Sequence, residues 1–339
     1  MRSIPAQIKS YAPGFALALV IALLAKGIEA LLPFDVIGAS VIAMFIGMLI
    51  NGYRKPGKTT APGVKFTAKK ILKFAIILLG ASLNVTTILN VGRMSLTVML
   101  FTLLTCFGGG YFIGRALGLD WKLSNLISAG TGICGGSAIA AVAPVIDAKD
   151  SDIAYALSAT FLFDMAMIVL FPIMGRAMGL SDMAYGLWTG TAVNDTSSVV
   201  AAGYAFSEGA GDFATMVKLT RTLAIIPITL VLAFVRTKRA KTDGTKVDLK
   251  KIFPMFILYF LLASVITTVC VSVGVSASVF APLKTLSKFL IVMAMCAVGL
   301  NTNIVKLVKT GGKPLIMGFC CWVGIAGMSL LMQHLLGIW

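Results

Sequence analysis

Apolar runs of roughly 20 residues, the length that the hydrocarbon core of a bilayer demands of a helix, recur along this chain and leave little room for any other architecture. They fall at about 13–32, 36–52, 71–90, 94–118, 153–174, 214–235, 252–274, 285–300 and 315–337. Two further segments, at about 123–146 and 184–206, are apolar but interrupted by glycines and hydroxyls. In hydrocarbon every backbone polar group must be satisfied within the protein, which leaves helices and closed barrels, and runs this long are helical. The expected fold class is an all-α polytopic membrane protein of about 11 membrane segments. Charged residues make up 12% of the chain, against about 25% in soluble domains. One integral membrane domain, 1–339, is therefore expected. The first run, Pro13 to Leu32, exceeds a signal-peptide core and has no small-residue cleavage site after it, so it reads as a retained helix.

The formal net charge is +16. Such an excess can mark a nucleic-acid binder, but here the basic residues sit in short loops between apolar runs, the pattern of cytoplasmic loops. No nucleic-acid partner is expected. The richest stretches are Arg54 to Lys73 and Arg236 to Lys251, joined by Lys306, Lys309, Lys313 and the N-terminal Arg2 and Lys9. One orientation places all of them inside: N-terminus cytoplasmic, C-terminus external. The expected location is the bacterial inner membrane, multi-pass. Residues 56–70 read as a loop leading into an interfacial helix, and Thr237 to Asp248 as a short polar linker.

The two interrupted segments carry the chemistry. The first contains Gly130-Thr-Gly-Ile-Cys-Gly-Gly-Ser137 and the second Gly190-Thr-Ala-Val-Asn-Asp-Thr-Ser-Ser198. Gly130, Gly132, Gly135 and Gly136 each weaken a helix by roughly 1 kcal/mol relative to Ala. Thr131, Ser137, Asn194, Asp195, Thr196, Ser197 and Ser198 are polar groups that packing in a membrane does not require. Non-helical backbone at membrane depth persists only where protein covers it or it lines a wet cavity. A glycine-rich break followed by hydroxyls is how a transporter turns backbone and helix N-termini toward a small ion. The competing reading is close helix packing through small residues; the intramembrane Asp195 speaks against it.

The chain also resembles itself. Lys73-Phe74 through Leu83-Asn84 to Trp121 resembles Lys288-Phe289 through Leu300-Asn301 to Trp339, with a two-residue gap, and Gly130-Thr through Pro172 more weakly resembles Gly190-Thr through Pro227. The pairs suggest a unit used twice, the second copy permuted: 71–174 against 184–235 plus 285–337. An inverted repeat requires the paired helices to run in opposite directions. That holds for every pair if the interrupted segments are re-entrant hairpins or sharply broken helices, the reading preferred here over regular spans. Arms of about 12 residues reach about 18 Å, enough to meet near the midplane.

Asp164 lies mid-run in Phe161-Leu-Phe-Asp-Met-Ala-Met, where a carboxylate must be paired, neutral or wet. Lys218 and Arg221, at i and i+3, share one helix face. They either snorkel to the interface, being in the first third of their run, or meet an oxyanion, whose paired oxygens a guanidinium matches. Asn84 and Asn301 read as helix-end caps. Catalysis finds no support. Cys134 has no nearby histidine, His334 being at the far end, and no HExxH, GxSxG or nucleotide-binding sequence occurs. The six cysteines, scattered with no Cys-x-x-Cys, form neither a metal nor a disulfide framework.

At Ile127-Ser-Ala-Gly-Thr-Gly-Ile-Cys-Gly-Gly-Ser-Ala138, Ala192-Val-Asn-Asp-Thr-Ser-Ser-Val-Val-Ala-Ala-Gly203 and Lys218-Leu-Thr-Arg221, the chain resembles the sulfate exporter family of YeiH-like bacterial membrane proteins. That family is distantly similar to the bile-acid symporter and cation–proton antiporter group, which implies inverted repeats with broken helices crossing at the midplane. Many of its members carry a His-Glu pair where this chain has Asn194-Asp195, so the acid is kept in kind and the histidine is absent.

The expectation is a secondary active transporter of a small anion, sulfate or organosulfonate, with no organic cofactor and with sodium or a proton as the coupling ion. Gly130, Thr131, Gly132, Cys134, Gly135, Gly136, Ser137, Asn194, Thr196, Ser197, Ser198, Lys218 and Arg221 are the candidate substrate-binding residues, and Asp164 and Asp195 the candidate ion-coupling ones. The expected partners are the anion, the lipid bilayer and a second copy of the chain in a homodimer. The alternatives are a passive anion channel, an ion-regulated membrane sensor or a sodium/proton antiporter.

Overall fold

The computed structural model describes residues 4–31, 39–240, 255–302 and 312–338. Among them every regular element is helical, and seven stretches are long and apolar enough to cross a membrane: Ser10–Leu31, Val85–Ala116, Ser151–Ala177, Glu208–Arg236, Met255–Ser272, Ala277–Asn301 and Lys313–Leu335. The protein is an all-α polytopic membrane protein. The basic positions 241–251, Lys306, Lys309 and Arg2, which carry much of the orientation argument, lie outside the described residues.

The described residues form two compact units. One is drawn from the residues up to Asn90, Tyr204–Phe206 and the helices between 255 and 302. It holds α1 (Ile4–Leu31), α2 (Ala39–Tyr53), α3 (Ala61–Phe66), α4 (Leu72–Gly80), the start of α5 (Val85–Ala116), α13 (Met255–Ser272) and α14 (Ala281–Asn301). A π turn, Thr67–Ile71, joins α3 to α4. Here α2 and α14 meet backbone to backbone: a Cβ on Gly47 would lie 2.8 Å from the Leu300 nitrogen, and one on Gly299 would strike Met44. Helices of a membrane protein approach this closely only through small residues. The apolar run at 71–90 is not one helix. It ends at Gly80, and α5 restarts at Val85 with Asn84 Oδ1 accepting the Thr86 N–H at 2.8 Å. The expected cap at Asn84 is thus present, and Asn301 is the last residue of α14.

The second unit, drawn from Val91–Gly203, from Ser207 to 240 and from 312 to 338, contains the first interrupted segment and the second as far as Gly203. The first is α6 (Trp121–Ala129), a π turn (Gly130–Cys134) and α7 (Gly136–Ile146); after it runs α8 (Asp150–Ala177). The second is α9 (Asp182–Ala192) and α10 (Thr196–Phe206), followed by α11 (Glu208–Thr222) and α12 (Ile225–Ala240). The helix α15 (Lys313–Leu335) completes the unit. A turn at Leu223–Ala224 separates α11 from α12; Pro227 explains it, because its ring conflicts with the carbonyl four residues back.

Each interrupted segment folds back on itself. A Cβ on Gly130 would lie 2.8 Å from Ile139 Cδ1, whereas residues nine apart in a continuous helix are separated by about 13 Å. Tyr185 Oη donates to the Ala202 carbonyl at 3.0 Å, across what would be about 25 Å of straight helix. Both segments are therefore helical hairpins. They stand at opposite ends of α8. The first hairpin feeds α8 through residues 147–149, and α9 returns alongside α8, Phe171 stacking on Trp188 with ring centroids 4.0 Å apart. The helix α15 braces the second hairpin: Trp188 Nε1 donates to the Ala326 carbonyl at 3.1 Å, and Thr191 Oγ1 lies 2.7 Å from Ser329 Oγ. At the base of the first hairpin, Lys122 Nζ donates to the Asp147 carbonyl at 2.6 Å and Arg236 Nη1 to the Val145 carbonyl at 3.1 Å, placing two cations at the C-terminus of α7.

Candidate functional site

The tips of the two hairpins touch. A Cβ on Gly135 would lie 3.0 Å from both Asp195 Cβ and Asp195 Oδ1. The two turns are made by different chemistry. At the first, Gly135 adopts φ 65°, ψ −134°, a conformation open only to glycine, and its N–H closes the π turn onto the Gly130 carbonyl at 2.9 Å. At the second, the chain is extended: Val193 has φ −80°, ψ 140° and Asp195 φ −83°, ψ 146°. There Asp195 Oδ2 caps α10, accepting the Ser197 N–H at 2.9 Å and bonding the Ser197 hydroxyl as well. Aspartate is among the best residues for that position.

Breaking a helix strands its last carbonyls, and here two helix C-termini end inside the protein. Lys218 and Arg221 meet this need on both sides at once. Lys218 Nζ donates to the Ile133 carbonyl and to the Val193 carbonyl, each at 2.8 Å. Arg221 Nη2 donates to the Thr131 carbonyl at 3.2 Å, and Nη1 bonds the Thr191 carbonyl. Each pair of carbonyls, 131/133 and 191/193, is two residues apart at the end of its hairpin's leading arm. Both cations are 0% exposed, so neither snorkels. A cation near a helix C-terminus offsets the negative end of its dipole, and these two serve two such ends together.

Asp164, near the middle of α8 and 2% exposed, serves the extended turn. Its Oδ1 accepts the N–H of Asn194 at 3.1 Å and of Asp195 at 3.2 Å. Its Oδ2 has no hydrogen-bond partner among the described residues, nor do Asn194 Oδ1 and Nδ2 or Arg221 Nε, all of them buried.

The residues singled out from sequence thus assemble around one junction, at three depths. Ser137 is exposed, and Gly136, Asp195 and Thr196 are half-buried, so the N-terminal turns of α7 and α10 present the accessible face. Gly135, Asn194, Ser197 and Ser198 are buried at the junction itself. Gly130, Thr131, Gly132 and Cys134 lie buried along the first arm, Gly132 against Cys106 and Gly130 against Thr160. Lys218, Arg221 and Asp164 hold the backbone from α11 and α8. Sequence reasoning missed the backbone carbonyls of Thr131, Ile133, Thr191 and Val193 as the groups the cations bind; a carbonyl has no residue identity, and no sequence signal marks it. Among the described residues no group of three or more His, Cys, Asp or Glu is placed to hold a metal ion.

Opposed helical hairpins meeting inside a polytopic helical chain define a membrane protein organised around broken helices. The chain belongs to the family described as Conserved hypothetical protein 698, whose profile matches residues 13–318. It is 49% identical to a UPF0324 membrane protein of Clostridium tetani, over 97% of this chain and 99% of that one. It is 50% identical to a UPF0324 membrane protein of Streptococcus mutans, over 90% and 92% of the two chains, and 46% identical to one of Streptococcus agalactiae, over 98% and 99%. These names place the relatives in a membrane and state no substrate.

Proposed function

We propose that the protein is a secondary active transporter of a small anion, sulfate or an organosulfonate, driven by an ion gradient. The observation that carries the reading is the tip-to-tip meeting of the hairpins, with Lys218 and Arg221 already engaged by the carbonyl ends of α9 and of the first hairpin's leading arm. With those negative ends offset, the junction presents the N-terminus of α7 beside the hydroxyls of Ser137 and Thr196, while Asp195 already caps the N-terminus of α10. Backbone N–H groups at helix N-termini suit an oxyanion. Lys218 and Arg221 then support the anion indirectly, by shaping the turns, rather than by direct contact. The formal charges of Lys218 and Arg221 balance those of Asp164 and Asp195, so an entering anion is best accompanied by a cation.

The order hairpin–helix, hairpin–helix also supports an inverted repeat, of which 71–174 and 184–235 plus 285–337 are the two copies. The buried carboxylate of Asp164 favours one second reading, a sodium/proton antiporter. No catalytic role is assigned to any residue. Proteoliposomes loaded with sulfate decide among these. A carrier gives counterflow of labelled sulfate that responds to an imposed sodium or proton gradient. A channel gives flux without counterflow, and an antiporter moves protons against sodium with no sulfate present.

A further inference from the structure

We propose that Asp164 Oδ2 and Asn194 Oδ1 bind a sodium ion at the second hairpin turn. This deepens the ion-coupled reading above by naming the ion and its ligands. The starting point is a set of orphans. Asp164 Oδ2 and both polar atoms of the Asn194 side chain lack hydrogen-bond partners among the described residues, and the two side chains are 2% and 0% exposed. Buried polar groups left unpaired are costly, and buried charges are held by partners or by metals. The two residues are already in contact, since the Asn194 N–H donates to Asp164 Oδ1 at 3.1 Å. Both side chains therefore belong to one turn, and the free Asp164 oxygen is on a carboxylate whose other oxygen is pinned by two N–H groups.

The chemistry selects the ion. Two oxygens, one anionic, suit a hard cation. A divalent ion draws on more carboxylates than are present: Asp195, the other acid at the junction, already caps α10 through Oδ2. Thiol or imidazole clusters are absent among the described residues, which disfavours a transition metal. A proton on Asp164 Oδ2, donated to the orphaned Asn194 Oδ1, is the competing occupant, and it would make the protein respond to pH and not to sodium. Broken helices of transporters ordinarily coordinate sodium through their unwound carbonyls and C-terminal ends. In this chain Lys218 and Arg221 have taken those carbonyls, which leaves the carboxylate and amide of the second turn for the ion. Lys218, a like charge to the ion, bonds the carbonyl of the neighbouring Val193, and its ammonium hydrogens point to the Ile133 and Val193 carbonyls, which offset part of its field.

The test uses the purified full-length protein and no sulfate. Its melting temperature is followed as NaCl replaces KCl or choline chloride at constant ionic strength. A ligand that binds only the folded state raises Tm saturably with concentration, so a saturable rise with sodium and none with potassium is expected. Asp164→Asn and Asn194→Ala should each raise the half-saturating sodium concentration about tenfold or more, the equivalent of losing one charged contact. Equal Tm in sodium and potassium, an unchanged sodium response in both variants, or a response to pH alone would overturn the site. Should Asp164→Asn fail to fold, retention of radioactive sodium by wild-type protein and by Asn194→Ala decides instead. A sodium-binding protein without sulfate counterflow refutes the transport reading alone; a sulfate carrier indifferent to sodium refutes this site alone.

Discussion

Lys218 and Arg221 show how far a residue's chemistry was readable before its neighbours were known. Their shared helix face, and their closeness to a polar break, followed from spacing i to i+3. What they bond did not, because the targets are the carbonyls of Thr131, Ile133, Thr191 and Val193. The clamp has a consequence that direct anion binding does not share. Arg221→Ala strands two buried carbonyls, at about 1–3 kcal/mol each, so its Tm should fall in the complete absence of substrate. Arg221→Lys should recover only part of the loss, since one ammonium lacks the fork that spans both hairpins. An unchanged Tm in substrate-free Arg221→Ala would return the guanidinium to the role of an anion ligand. Gly135 makes a sharper case. At φ 65°, ψ −134°, with a Cβ due 3.0 Å from Asp195, Gly135→Ala should destabilise by roughly 1–3 kcal/mol from the backbone alone. Gly136→Ala, whose Cβ would meet only Leu157 and Phe161 side chains at 3.3–3.4 Å, should cost much less. Thermal unfolding of the two variants side by side measures the difference.

At the scale of elements, the hairpins were legible where the sequence disrupts helices and obscure where it does not. The glycine string of the first break weakens a helix at four positions, although close helix packing would use the same small residues. The second turn contains no glycine between Ala192 and Ser198, and the only signal was an Asn-Asp pair followed by hydroxyls, residues that cap helices more readily than they continue them. The run at 71–90 was misjudged as one span for a related reason: hydropathy integrates over a window and passes across the Asn84 cap that splits it. The meeting of the tips gives a test that needs no substrate assignment. In a cysteine-free background, Gly136→Cys and Thr196→Cys, both half-buried at the N-termini of α7 and α10, should crosslink with a short bifunctional reagent. Sulfate, if it binds there, should slow their modification. No crosslink in a folded, monodisperse protein would mean that the hairpin tips do not meet.

Across the whole molecule, we propose from the basic loops a cytoplasmic N-terminus and an external C-terminus. Reporter fusions at the C-terminus should therefore report the external compartment, and cytoplasmic activity would mean that the segments are miscounted by one. That the chain is helical and resides in a membrane was settled by its sequence alone. Run length, hydropathy and the scarcity of charge are local properties, and a bilayer tolerates no other use of such runs. The positions of the breaks were nearly as well determined, because glycine and capping residues act on their own backbone. That the two breaks meet at one junction was expected from their likeness; only the tertiary structure decided which groups Lys218, Arg221 and Asp164 bond there. The physical reason is that carbonyls and N–H groups are alike at every residue. A cation one-third of the way along an apolar run has the same sequence whether it snorkels to the interface or closes two broken helices.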